Sequence, residues 1–124
     1  MRPIVLLAFV VCTATPAAGL NCSIKPGSAS RDAELQALAK ISMQDARRIA
    51  QAHVKAGSDS KTSGELEVES GCLVYSFDIK LRNRTGVEEV WIDAGNGAVL
   101  SSRHETAIQE AAERARDRLS SKRK

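Results

Sequence analysis

The spacing of hydrophobic residues changes from a helical to a strand period along the chain. From Ala46 to Val54, apolar residues recur at helical spacing, and Ser42 precedes them with a carboxylate three residues later, as in a capping box. This pattern predicts one amphipathic helix over about residues 43–56, ended by Gly57.

Beyond a polar loop, apolar and polar residues alternate, which is typical of strands with one buried face. Turn residues divide this region into strands at 65–69, 73–82, 87–94 and 98–100. The apolar face of the second strand needs cover from water, and the helix at 43–56 is the nearest apolar surface. We therefore expect an α+β fold, with one amphipathic helix packed on a small antiparallel β-meander, plus a C-terminal helix.

Two further segments flank this unit. Residues 20–40 begin with Ser, Gly and Pro and predict an irregular N-terminal arm, with a helical composition only at 32–40. Residues 102–124 predict a charged C-terminal helix and tail, which starts from a cap at Ser102 and carries a thin apolar stripe beginning at Ile108.

Residues 1–19 have the composition of an export signal. A basic residue, an apolar run at 4–12 and a zone of small residues follow one another, as in a cleavable signal peptide. The run is shorter than the roughly 18–20 residues needed to span a bilayer. A lipoprotein signal acylated at Cys12 is the alternative, although Val11 before it is branched where a small residue is expected. We expect a secreted or periplasmic protein after cleavage.

Cleavage of this signal leaves two of the three cysteines, Cys22 and Cys72. An even pair in an exported protein favours a disulfide between them, and two separate thiols are the alternative.

The net charge of +3 is too small to indicate a polyanionic partner, so nucleic acid is not expected. The two histidines, His53 and His104, are separated by the whole predicted sheet, and no nucleophile stands in a recognisable catalytic motif. We expect no catalytic residues, no metal site and no cofactor, so the chain is not predicted to be an enzyme.

Three candidate partner contacts form an acidic stripe. Glu65, Glu67 and Glu69 share the polar face of the first predicted strand. At a sheet edge, such a strand can bind an extended peptide by β-augmentation. The alternative is that these charges only prevent unwanted strand pairing.

Trp91 and Asp93 are two further candidates, on the polar face of the third strand. Trp91 is either exposed as a contact point or covered by the C-terminal helix around Ile108, and we expect coverage. Asp93 precedes a Gly/Asn turn, where a carboxylate can receive a partner's donor or an ion but more often accepts local backbone N–H groups.

Residues 41–101 resemble a PepSY domain, a small module of peptidase propeptides and of secreted or membrane-associated bacterial proteins. The similarity includes the opening helix ISMQDARRIA at 41–50 and, most specifically, the closing hairpin VWIDAGNGAVL at 90–100. The family has no common catalytic set. The resemblance therefore implies a non-catalytic module that inhibits, assists or binds a peptidase.

Two functions follow as expectations. The first is an exported binding module that regulates, inhibits or assists a protein partner, an extracytoplasmic peptidase. The alternative is an envelope-associated adaptor that contacts anionic membrane through basic residues of the C-terminal helix and tail, such as Arg114 and Lys122.

Overall fold

The computed structural model describes residues 20–122, so the predicted signal peptide lies outside the described residues. The four strands of this range form one antiparallel sheet in the order β1-β2-β3-β4, which confirms the predicted α+β meander. The elements in chain order are α1 (Asp32–Leu38), α2 (Met43–His53), β1 (Lys61–Glu69), β2 (Cys72–Lys80), β3 (Val87–Asp93), β4 (Val99–Glu105) and α3 (Ala107–Ser121).

Helix α2 covers one face of the sheet, which we call the core face. It crosses β1, β2 and β3 and packs through Ala46 and Ala50, two small residues that are fully buried. Because these side chains are short, the helix lies close to the strands. The larger apolar side chains of the core come from the sheet, and they are Leu73, Tyr75, Phe77, Ile79, Val90 and Ile92.

Side chains at the start of α2 fix its position on the sheet. Ser42 Oγ accepts a hydrogen bond from the Asp45 N–H at 3.0 Å, so Ser42 is the predicted N-cap. The Tyr75 hydroxyl donates to the Ile41 carbonyl at 2.7 Å, which joins the central strand to the residue just before the cap. The helix is therefore held by a polar contact as well as by apolar packing.

The end of α2 differs from the prediction, because the helix stops at His53 and not at Gly57. Lys55 adopts a left-handed conformation, with φ of 55°. This turn lets the Ala56 N–H donate to the Gln51 carbonyl at 2.9 Å, which is the hydrogen bond of a helix-terminating motif usually made with glycine. A glycine at position 55 would have predicted this helix end, but the sequence has lysine there.

Strand β4 is longer than predicted, and the predicted helix cap at Ser102 is wrong. Ser102 pairs with Val90 of β3, and the pairing continues to Glu105 opposite Val87. The open edge of β3 offers these residues regular backbone hydrogen bonds, which a local cap at Ser102 would forfeit. Helix α3 is instead capped by Thr106.

The N-terminal arm is fastened across one end of the sheet. The sulfur atoms of Cys22 and Cys72 lie at bonding distance, and their Cα atoms are 6.0 Å apart. Next to this pair, the Leu73 N–H donates to the Ile24 carbonyl at 3.0 Å. The arrangement is that of the predicted disulfide rather than of two separate thiols.

Removing the disulfide should destabilise the domain, because it closes a loop between residues separated by 50 positions. We expect a Cys22→Ala/Cys72→Ala variant to lose about 2–4 kcal/mol of unfolding free energy, as measured by urea denaturation. Dithiothreitol should lower the stability of the wild-type protein to that of the variant and leave the variant unchanged. Equal stabilities of oxidised wild type and variant would contradict the bridge.

Candidate functional site

The face of the sheet opposite α2 carries the candidate site, and we call it the outer face. Alternation along the strands brings polar residues together there: Glu65 faces Ser76, and Ser76 faces Trp91. Helix α3 borders this face and encloses a cleft of about 490 Å³, which we call the acidic cleft. Its lining residues are Glu65, Glu67, Glu69, Ser76, Asp78, Glu89, Trp91, Arg103, Glu113, Arg116 and Asp117.

One guanidinium group is shared among the carboxylates at the floor of the cleft. Arg103 Nη2 lies 2.9 Å from Glu89 Oε1, 2.9 Å from Glu105 Oε1 and 3.5 Å from Glu113 Oε1. Glu89 and Glu105 belong to the sheet and are buried, whereas Glu113 belongs to α3. Arg103 therefore links α3 to the outer face.

Among the described residues, these three carboxylates are spaced closely enough to resemble the ligands of a metal ion. One oxygen each from Glu89, Glu105 and Glu113 lies within 4.8 Å of the others. Carboxylate oxygens suit hard cations such as Ca²⁺, but Arg103 already places a positive charge beside them. We therefore describe the group as an ion-pair cluster and assign it no metal.

Two glutamates in the cleft have strongly altered acidity. Burial raises the pKa of Glu67 to about 7, and repulsion from Glu69 and Glu65 adds to this effect. Burial also raises the pKa of Glu89 to about 7, against the opposing attraction of Arg103. The outer face thus holds carboxyl groups that are poorly compensated when ionised.

Trp91 is half-buried at the centre of the outer face. The guanidinium carbon of Arg103 lies 5.8 Å from the centre of its ring. The predicted coverage by Ile108 is wrong, because Ile108 is 83% exposed. Helix α3 turns charged residues towards the outer face, where Glu113 pairs with Arg103. The thin apolar stripe of α3 faces solvent.

Asp93 is fully buried and does not line the cleft. Its carboxylate accepts hydrogen bonds from the backbone N–H groups of Gly95 at 2.7 Å, Asn96 at 3.2 Å and Ser23 at 2.8 Å. Burial alone would raise the pKa of Asp93, but these bonds and that of the Ser23 hydroxyl outweigh it and lower the pKa. Asp93 fastens the hairpin to the N-terminal arm as a buried hydrogen-bond acceptor, which is the role that the turn after it favours.

The structure therefore brings Glu65, Glu67, Glu69 and Trp91 into one cleft, and Asp93 is not among the residues that line it. Sequence reasoning missed the other main members of the cleft. Glu89 could have been identified, because it lies two residues before Trp91 and therefore on the same face of the third strand. Arg103 and Glu113 were not, because the predicted fourth strand ended before Arg103.

The stability of the protein should decrease between pH 5 and pH 8. A carboxyl group whose pKa is raised by folding favours the folded state while it is protonated, and this contribution is lost as pH rises from about 4.5 to about 7. We expect a Glu67→Gln/Glu89→Gln variant to melt at a higher temperature than wild type at pH 8 and to show a flatter pH profile.

The matched control is Asp59→Asn, which removes an exposed carboxylate that lies outside the cleft and also pairs with an arginine, Arg82 at 3.1 Å. It should retain the wild-type slope in the same thermal-unfolding series at pH 5, 6.5 and 8. If the melting temperature of the double variant depended on pH as strongly as that of wild type, the cleft carboxylates would not be the source of the pH dependence.

Comparison with known proteins identifies the helix–sheet unit as a member of a family. The family model for PepSY, described as "Peptidase propeptide and YPEB domain", matches residues 40–103. A search of curated proteins and a search of solved structures each gave no match. Within residues 20–122, no helix has the length and apolar character required to cross a membrane. The matched segment is half of the chain and contains α2 and the strands of the sheet up to Arg103, so the protein belongs to the PepSY family.

Proposed function

We propose that this chain is an exported, non-catalytic protein-binding module that regulates an extracytoplasmic peptidase by inhibiting it or by assisting its folding. The observation that carries the proposal is the family match over residues 40–103. The family description names a peptidase propeptide, which supports a peptidase as the partner.

The outer face supports protein binding as the mode of action. Strand β1 is the first in the sheet order, and among residues 20–122 it pairs with β2 alone, while helix α1 contacts part of it. Its acidic stripe lies next to the half-buried ring of Trp91 in the acidic cleft. An outermost strand with an aromatic side chain nearby suits an extended segment of a partner.

The proposal is tested by adding the purified protein to purified extracytoplasmic peptidases, including a thermolysin-like enzyme. We expect micromolar protein to change the rate at which at least one of them hydrolyses a chromogenic peptide. The intact mass of the protein should be measured after incubation with the peptidase. A protein that only competes as a substrate is degraded, whereas a regulator stays intact.

A Phe77→Ala variant provides the control for folded structure. Phe77 is fully buried beneath α2, and its truncation should cost about 3–5 kcal/mol of stability. The variant should therefore lose most of the effect on the peptidase. Unchanged activity across the panel with wild-type protein would reject the proposed function.

A second candidate function is an adaptor on anionic membrane, and the exposed side of α3 favours it. Ile108 is 83% exposed and Leu119 is 64% exposed, and both lie on a helix that also carries exposed basic residues such as Arg118. A helix with an apolar side and basic residues can lie at a lipid surface.

Liposome co-sedimentation tests this alternative with the full chain and with a chain lacking residues 107–124. If α3 is a membrane contact, the full chain should bind vesicles containing phosphatidylserine and the shortened chain should not. Binding should weaken with salt, because part of the attraction is between charges. Equal and negligible binding by both chains would remove the adaptor.

A further inference from the structure

The acidic cleft carries a charge opposite to that of the chain as a whole. Seven carboxylates and two guanidinium groups line it, whereas the whole chain has a net charge of +3. The negative field is thus local to the outer face. Charge complementarity favours a positively charged ligand for this surface.

Arg103 cannot supply enough positive charge to the floor of the cleft. Its Nη2 atom is shared by Glu89 and Glu105, at 2.9 Å from each. The Glu89 side chain is 10% exposed, yet its Oε1 has no aligned hydrogen-bond donor among residues 20–122. The ion pair with Arg103 offsets part of the cost of burying this oxygen, and an aligned hydrogen bond would offset more of it. A further N–H donor entering the cleft would supply that hydrogen bond.

The geometry of the acidic stripe distinguishes between a metal ion and a chain segment as the ligand. Glu65, Glu67 and Glu69 follow one another at every second position of β1. Such positions are about 7 Å apart along a strand, so their carboxylates form a row rather than converging on one ion. An extended segment has the same period. Basic residues at its alternate positions would each meet one carboxylate.

Trp91 adds a contact that is suited to arginine. Its half-buried ring lies in the same cleft as the stripe, and Arg103 already stands over it at 5.8 Å. Guanidinium groups stack on indole rings while they also form ion pairs with carboxylates.

We propose that the acidic cleft binds an extended protein segment with Arg or Lys at alternate positions, which lies along the outer face of β1. The inference deepens the proposed function and rests on it in one respect, since it takes the ligand to be a segment of a protein partner.

Fluorescence anisotropy with a labelled peptide of alternating Arg and Ser tests the inference on the full chain. The wild-type protein should bind this peptide and should not bind its Glu-Ser counterpart. A Glu65→Gln/Glu67→Gln/Glu69→Gln variant should bind about tenfold more weakly, because it loses three partly exposed ion pairs. Binding by wild type should also weaken as salt is added.

The matched control variant is Asp32→Asn/Asp45→Asn/Asp59→Asn. It removes the same number of carboxylates, all from exposed positions outside the cleft, so its affinity should stay within about twofold of wild type. The fluorescence of Trp91, the single tryptophan, should change when the peptide binds and also reports whether each variant is folded.

A smaller change keeps the test valid if the triple variant folds poorly. Glu65 is exposed, so Glu65→Gln alone should leave the fold intact and weaken peptide binding about twofold.

Three results would overturn the inference: no binding of the Arg-Ser peptide by wild type, equal losses in the two triple variants, or binding of Ca²⁺ in place of the peptide. If a peptidase is nevertheless regulated, the proposed function stands and only the basic segment is rejected. Peptide binding without an effect on any peptidase would reject the proposed function and keep the cleft as a binding site.

Discussion

The alternation of side chains across a single antiparallel sheet is the constraint on which the structure depends. Because successive residues point to opposite faces, each strand of the meander contributes to both surfaces at once. Phe77 and Val90 face each other on the core face, while Asp78 and Glu89, the next pair along, face each other on the outer face. The register that builds a dry core therefore also concentrates carboxylates on the opposite side.

The two faces have different energetic roles. On the core face, the small residues of α2 cover the apolar side chains of the sheet, and the Tyr75 hydroxyl donates its hydrogen bond to the Ile41 carbonyl. The outer face is only partly satisfied, because one arginine serves several carboxylates. Strain of this kind is often retained where a surface has a function, since binding can relieve it. The helix-packed core face thus supports an outer face on which carboxylates outnumber the guanidinium groups.

Sequence reasoning was most successful where one period persisted over many residues. The core face of β2 and the amphipathic face of α2 both follow from such patterns, and they specify the helix-on-sheet packing. The pairing of Cys22 with Cys72 followed from counting the cysteines that remain after the predicted signal peptide. Termini were less predictable: α2 ends at His53 because Lys55, beyond the cap, adopts a conformation that favours glycine, and strand pairing overrode the cap at Ser102.

The candidate site was predicted only in part, because its members come from segments that are distant in sequence. The acidic stripe and Trp91 were identified on their own strands. Whether Glu113 joins them depends on which side of α3 faces the sheet. In the structure this side carries Glu113, which pairs with Arg103, and the apolar stripe that begins at Ile108 faces solvent. Helical periodicity alone predicted the opposite rotation.

The outer face buries carboxyl groups whose ionised form is only partly compensated by positive charge. This imbalance is tested most directly by NMR titration of the side-chain carboxyl carbons of Glu67 and Glu89 in the folded protein. Titration midpoints near pH 7 for both residues are predicted. Midpoints near 4.5, the ordinary value for glutamate, would contradict the account.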